Sequence, residues 1–266
     1  MKFSLLLPTL GTRVKELNRL FESIENQTYK NLELIVVTQD NHEVVADIIK
    51  SHSVENVKHI KIDKKGISVS RNAGLPYVTG DILTFTDDDC WYTPNAFETV
   101  KRYMEEYNPD VATFMHMDPD RNEYTKVYPN EKQINFSKRH TLKQISFDIY
   151  INIKNVPDYK IGFDERFGVG RIYNSGEENI YLMDLYNKGY KKMCFFPELI
   201  AYHPKKDNNY LDEKSFVAKG PLFKRLFGNI LGLPMFIVFG IKKARLVDNF
   251  VPLFIKGIRE SINFKL

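Results

Sequence analysis

Between residues 3 and 115 the chain switches repeatedly from short apolar runs to segments of helical period, and this alternation restricts its fold more than any other feature. Residues 3–7 and 32–37 are apolar on both faces, the pattern of strands in a sheet covered from both sides. Residues 57–62 alternate instead, as an edge strand does. Between them Leu17, Leu20, Phe21 and Ile24 fall on one helical face, and Val44, Val45, Ile48 and Ile49 on another. A further helical segment runs from Gly66 to about Tyr77 and stops at Thr79-Gly80. Pro94 opens another, carrying Phe97, Val100, Tyr103 and Met104, while residues 82–86 and 111–115 read as strands. Right-handed crossovers assemble such units into an α/β fold with a mostly parallel sheet flanked by helices.

In sheets of this kind ligands bind beyond the carboxyl ends of the strands. Three polar tips lie there: Pro8-Thr9, Thr38-Gln39-Asp40 and Asp87-Asp88-Asp89. Three successive carboxylates repel one another and are costly to bury unless something neutralises them. A divalent cation does so, and hard oxygen ligands select Mg²⁺ or Mn²⁺ over softer metals. Such an ion usually completes its shell with phosphate oxygens, so a phosphorylated ligand is implied. The alternative is a solvated acidic turn ahead of the helix that Pro94 begins.

The second half is less regular. Residues 116–160 are polar and spotted with aromatics, with one strand at 149–153. A helix from about Glu178 to Lys188 ends at Gly189, and residues 190–196 resemble a last strand. Cys90 and Cys194 are too few for a disulfide framework, which fits a reducing cytoplasm. The amino terminus has no signal-peptide pattern, and no run of about 18 uninterrupted apolar residues announces a membrane-spanning helix.

Four segments taken together, Leu5-Leu6-Leu7-Pro8-Thr9, residues 66–74 (Gly-Ile-Ser-Val-Ser-Arg-Asn-Ala-Gly), residues 80–89 ending in the aspartates, and Phe163-Asp164-Glu165-Arg166-Phe167-Gly168 followed by Gly176-Glu177-Glu178, resemble family 2 glycosyltransferases of the GT-A fold. The match runs over residues 1–205 in the right order. It implies a Rossmann-like catalytic domain over 1–215, with 1–115 as its nucleotide-binding half and 116–215 as its acceptor half. It also implies inverting, metal-dependent transfer of a sugar from a nucleotide diphosphate to an acceptor hydroxyl. Asp89 then falls on the principal metal ligand, with Asp87 in a D-x-D reading and His203 as further ligands, and Asp88 contacts ribose or metal. Pro8, Thr9, Gly11 and Arg13 belong to the loop at the nucleotide, and Arg71 lies where the family has an arginine near it. The base-reading acid of the family is replaced here by Gln39, or shifted to Asp40. Glu178 falls on the general base and Glu177 on its neighbour. Trp91 is either a stacking wall for a sugar ring or core packing.

Residues 216–266 form a compositionally separate tail, with nine Lys or Arg against two Asp or Glu in a chain of net charge +4. Its central apolar run, 230–241, is interrupted by Gly232, Pro234 and Gly240 and is too short to cross a bilayer as one helix. Peripheral contact with the cytoplasmic face of a membrane, or packing on the catalytic domain or on a second subunit as a homodimer, both suit a basic amphipathic helical tail. Nucleic-acid binding is not expected, because the charge is sparse and no motif supports it. A saccharide or lipid-linked saccharide acceptor suits polysaccharide or glycolipid synthesis. The competing readings are a nucleotidyltransferase, disfavoured by a loop at residues 8–13 with one Gly and one Arg, and a non-catalytic membrane-associated sugar-nucleotide-binding protein.

Overall fold

The computed structural model describes residues 1–205 and 212–266. The chain runs β1 (Phe3–Thr9), α1 (Val14–Glu25), β2 (Leu32–Thr38), α2 (His42–Ser51), β3 (Val57–Lys61), α3 (Ile67–Gly74), β4 (Ile82–Phe85), β5 (Trp91–Tyr92) and α4 (Ala96–Tyr107). It continues through β6 (Val111–Asp118), β7 (Glu123–Tyr124), β8 (Ile149–Asn152), α5 (Glu177–Lys188), β9 (Met193–Tyr202), α6 (Glu213–Lys243) and α7 (Phe250–Asn263). One sheet in the order β3-β2-β1-β4-β8-β6-β9-β5, with β7 on β6, carries the whole fold. β3, β2, β1, β4, β6 and β9 share one direction, and β8, β5 and β7 run against them.

Every residue of β1 and β2 is buried because both sheet faces are covered. Successive side chains alternate between two cores, as a strand's two-residue period requires. Phe3, Leu5, Leu7, Leu34 and Val36 meet the apolar stripes of α1, α2 and α4; Leu6, Ile35 and Val37 meet α3, α5 and Phe163. Each such side chain taken from water contributes about 1.5–3 kcal/mol.

Two expectations shift. The helix after the aspartates begins at Ala96, with Pro94 in the turn before it, where its carbonyl accepts from the Thr28 amide at 2.9 Å. The last strand begins at Met193 and runs on to Tyr202, past Pro197, because the register with β6 slips between Thr113–Phe195 and Met115–Leu199. A proline without an N–H fits such an irregularity.

The tail departs most from a linear reading. By length and composition alone the stretch Glu213–Leu246 is long and apolar enough to cross a membrane. A straight helix would hold Phe216 and Phe239 about 35 Å apart, yet their rings lie 6.3 Å from each other. The chain reverses at Gly228, whose φ of 77° suits glycine. Gly232 then lies so close to Lys224 that an added Cβ would come within 2.4 Å of the Lys224 Cα. Arms 213–227 and 229–243 thus form an antiparallel hairpin, against which α7 packs through Gly220, Gly257 and Ser261. The first arm also seals the domain from below: Leu222 and Leu226 join Phe167, Ile180 and Met183, and Arg225 pairs with Asp184 and Asp164.

Candidate active site

The sheet order sets the carboxyl ends of β2, β1 and β4 side by side, with Thr9 opposite Thr38 and Leu6 opposite Phe85. Carrying the second register three residues further brings Thr9 level with Asp88, and the Thr9 hydroxyl donates to the Asp88 carboxylate at 2.7 Å. The Thr9 oxygen also accepts from the Gly11 amide at 2.9 Å. Gly11 has a φ of +70°, and a Cβ there would come within 2.9 Å of both Val45 and Asn41, so the turn requires glycine.

Arg13 folds back over the acidic tip. Its Nη1 donates to Asp88 Oδ1 at 3.0 Å and also bonds the Asp89 carboxylate. On the other side His203 Nε2 lies 3.3 Å from Asp89 Oδ1, its ring stacked on Phe147 at 5.2 Å and its amide tied to Met117. Burial pushes the Asp88 carboxyl up. Burial acts on Asp89 in the same sense, but the bond to His203 and the charges of His203 and Arg13 outweigh it and hold that carboxyl low. The tip is therefore built to keep Asp89 ionised. A cleft of ≈ 370 Å³ opens in front of it, bordered by Pro8, Thr9, Gln39, Gly66, Asp87 and His203, within the range of roughly 300–1,000 Å³ usual for ligand sites.

At the second tip the two candidates separate. Gln39 is buried, faces the cleft and accepts from the Gly66 amide at the start of α3. Asp40 pairs with Lys65 of the cleft wall at 2.7 Å but is not itself part of that wall. Trp91 is outside it too, held between the Arg19 guanidinium, 3.4 Å from its ring centre, and Tyr202.

Arg71 lies behind the acidic tip, in contact with Asp87 of the cleft wall. It is fully buried, and it bridges acids rather than facing an open phosphate site. Nη2 donates to Asp87 Oδ1 at 3.1 Å, and Nη1 donates to Glu178 Oε1 at 2.9 Å with Glu177 at 3.7 Å. Phe163 and Phe85 flank the guanidinium. Buried charge survives only when paired in this way. Asp87 is fixed again by the Ser146 hydroxyl, so its carboxylate is turned to Arg71 and Ser146. Arg71 thus links the strand tip to the amino terminus of α5, where Gly176 opens the helix in a left-handed turn. That end is anchored from α3 as well: Asn72 holds Phe163, and Ser68 donates to the Phe167 carbonyl at 2.6 Å.

Of the two acids, Glu178 is the more accessible, its side chain 15% exposed against 5% for Glu177. Burial, then the neighbouring Glu178 charge, push the Glu177 carboxyl up to about 8, against the pull of Arg71. Between its ordinary value near 4.5 and about 8, folding therefore takes up a proton, and stability falls as pH rises through that window. Glu177→Gln should remove this slope, so its melting temperature should gain on the wild type between pH 5 and pH 8 and then level off. Equal differences at both ends would show that Glu177 ionises normally.

A buried group that sequence reasoning missed lies behind His203. Asp148, fully buried, accepts from His116 Nδ1 at 2.8 Å and from Lys126 Nζ at 2.7 Å, and the His116 ring meets both Phe147 and, edge-on at 6.4 Å, His203. These residues fall within the irregular stretch 116–160, where no periodicity signals them.

Comparison with known proteins agrees with this geometry. The model for glycosyl transferase family 2 matches residues 4–162. Glycosyltransferase GlyA of Streptococcus pneumoniae is 26% identical over 198 residues, 68% of this chain but 28% of that protein. The chain spans less than half the length of the first curated relatives it matches. Among solved structures, S. aureus TarS 1-349 in complex with UDP-GlcNAc superposes with a TM-score of 0.69 over 98% of this chain and 81% of that one, at 17% identity. The mannosyltransferase PcManGT from Pyrobaculum calidifontis, in complex with GDP-Man and Mn²⁺, gives 0.61 over 98% and 87%, at 12% identity. At these identities the likeness is one of fold, a GT-A sheet with a helical appendage. Since the family model accounts for more than half of the sequence, including the strand tips of β1, β2 and β4 at the cleft, the chain belongs to glycosyl transferase family 2.

Proposed function

We propose that the chain transfers a sugar from a nucleotide diphosphate donor to a hydroxyl of a saccharide or lipid-linked saccharide, with inversion, in the assembly of a surface polysaccharide or glycolipid. One observation carries the reading. An acidic tip borders the cleft, with Arg13 and His203 holding Asp89 ionised, and one buried arginine, Arg71, ties its Asp87 to a partly exposed carboxylate, Glu178, outside the cleft wall. In this reading residues 1–215 are catalytic, with 1–115 serving the nucleotide and 116–215 the acceptor.

The donor atoms present suit Mn²⁺ or Mg²⁺. Asp89 Oδ1 and His203 Nε2 stand 3.3 Å apart, and the Arg13 guanidinium rests on Asp88 and Asp89 where positive charge is called for. No cluster of three acidic, histidine or cysteine ligands forms among the described residues. The protein would thus supply two ligands, Asp89 and His203, and leave the rest of the shell to diphosphate oxygens and water, as Mg²⁺-type sites do. Asp87 stays with Arg71. Such an ion screens the diphosphate and stabilises the charge that gathers on the departing nucleotide. Arg13 would swing from Asp88 and Asp89 onto the same phosphates. Thr9 and Asp88 would hold the ribose side, and Gln39 would present its amide to the base. Glu178 would take the acceptor's proton on the opposite face of the sugar.

Asp89→Ala is the direct test. Calorimetric titration of UDP- and GDP-sugars with Mn²⁺ should detect one donor for the wild type and lose Mn²⁺-dependent binding in the variant, with the fold unchanged by circular dichroism. Undiminished, metal-dependent donor binding by Asp89→Ala would refute the assignment.

A further inference from the structure

The second arm of the hairpin is apolar on its outer side as well as its inner one. Gly232, Phe236 and Gly240 face inward and are buried. On the outside Leu231, Met235, Val238 and Ile241 follow one another at helical spacing, 59%, 42%, 50% and 64% exposed, with Ile230 at 85% beside them. A helix on the surface of a globular protein normally turns charged and polar residues outward. α7 repeats the pattern with Val251, Ile255 and Ile262, each more than half exposed. Elsewhere exposed apolar side chains are scattered, which is ordinary; here they form rows on two helices packed against each other through Phe236, Phe254 and Gly257.

Charge says what covers them. Lys242, Lys243 and Arg245 cluster where the second arm ends, Lys256 and Arg259 lie on α7 and Lys265 just beyond it, against only Asp248 and Glu260 over the same stretch. Glu260 is already engaged by the Tyr173 hydroxyl at 3.5 Å. Two copies of so basic a face repel each other, whereas an anionic surface attracts it. Length excludes a span: the arm 229–243, at 1.5 Å per residue, reaches about 22 Å, short of a hydrocarbon core of roughly 30 Å. Apolar rows bordered by Lys and Arg fit a helix lying in the interface plane.

We propose that the outer faces of the arm 229–243 and of α7 dock this chain flat onto an anionic lipid bilayer, with Leu231, Met235, Val238, Ile241, Val251 and Ile255 entering the acyl boundary and the basic residues meeting the headgroups. This docking stands independently of the transfer reaction, because no residue of the cleft takes part in it.

Flotation of the full chain with vesicles tests it. With phosphatidylglycerol-containing vesicles at low salt the protein should float. With pure phosphatidylcholine, or at high salt, the bound fraction should fall several-fold. Met235→Glu combined with Val238→Glu should lower partition at least about tenfold, with the melting temperature unchanged, since both side chains are exposed. Lys242→Gln with Lys243→Gln should cost roughly fivefold per charge on anionic vesicles only. The proposal falls if the wild type stays unbound to anionic vesicles at low salt, or if the double Glu variant floats as well as the wild type. It falls equally if the wild type is a stable dimer that the Glu pair dissociates while neither form binds lipid, for then the face belongs to a second copy.

Discussion

Replacing Glu178 by Gln should lower sugar transfer by roughly 10²–10⁴-fold, the range a positioned general base supplies, and leave donor affinity near its wild-type value. The substitution is well suited to isolate that role. Glutamine keeps the length of the side chain and an oxygen able to accept from Arg71 Nη1, now 2.9 Å from Glu178. It loses only the capacity to take a proton. Arg71 retains Asp87 and Glu177 as counter-charges, so the link between the strand tip and α5 persists. Single-turnover transfer with a bound donor, read beside a donor titration, separates the two quantities. Transfer at the wild-type rate would remove Glu178 from the reaction. If Glu177→Gln were then the inactive variant, the buried neighbour would be the base despite its lower exposure.

The parts of this site that the sequence revealed are those whose physics is local. Leu5, Leu6 and Leu7 can all be apolar only if a strand is covered on both faces, and β1 is. The three aspartates follow β4 by two residues, so their place at a strand tip came with the strand itself. What could not be read is what depends on partners distant along the chain. Arg71 and Glu178 are 107 positions apart, and nothing in residues 67–74 tells a buried bridge between acids from an arginine open to phosphate. Nothing local in residues 38–40 tells Gln39, which borders the cleft, from Asp40, which pairs with Lys65 and does not. Trp91 beside the aspartates reads equally as a wall for a sugar or as packing, and only the fold places it between Arg19 and Tyr202. Residues 116–160 carry no period because side-chain bonds hold them, with Asp148 gathering His116 and Lys126. The hairpin in the tail hinges on the backbone of one residue, Gly228.

Arg71→Met should destabilise the protein by about 3–5 kcal/mol, the usual consequence of removing one partner from a buried ionic cluster. The guanidinium is fully buried between Asp87, Glu178 and Glu177. Burial opposes its charge, but the three acids outweigh that and hold its protonation more firmly than usual. Methionine fills most of the volume, so lost packing is minor and uncompensated carboxylates dominate. Their repulsion must then be relieved by taking up protons, which raises carboxyl pKa values further in the folded state. The sign follows: an acid whose folded pKa lies above its unfolded one weakens folding as pH rises between the two. The deficit of Arg71→Met relative to wild type should therefore be smallest near pH 5 and grow toward pH 8 in urea unfolding. Arg71→Lys restores a charge but not the fork that reaches Asp87 and Glu178 together, and it should recover only part of the loss. It also gives a folded variant to measure if methionine yields none. An Arg71→Met protein as stable as the wild type at pH 8, or a deficit that shrinks as pH rises, would mean that these carboxylates are neutralised by something other than Arg71.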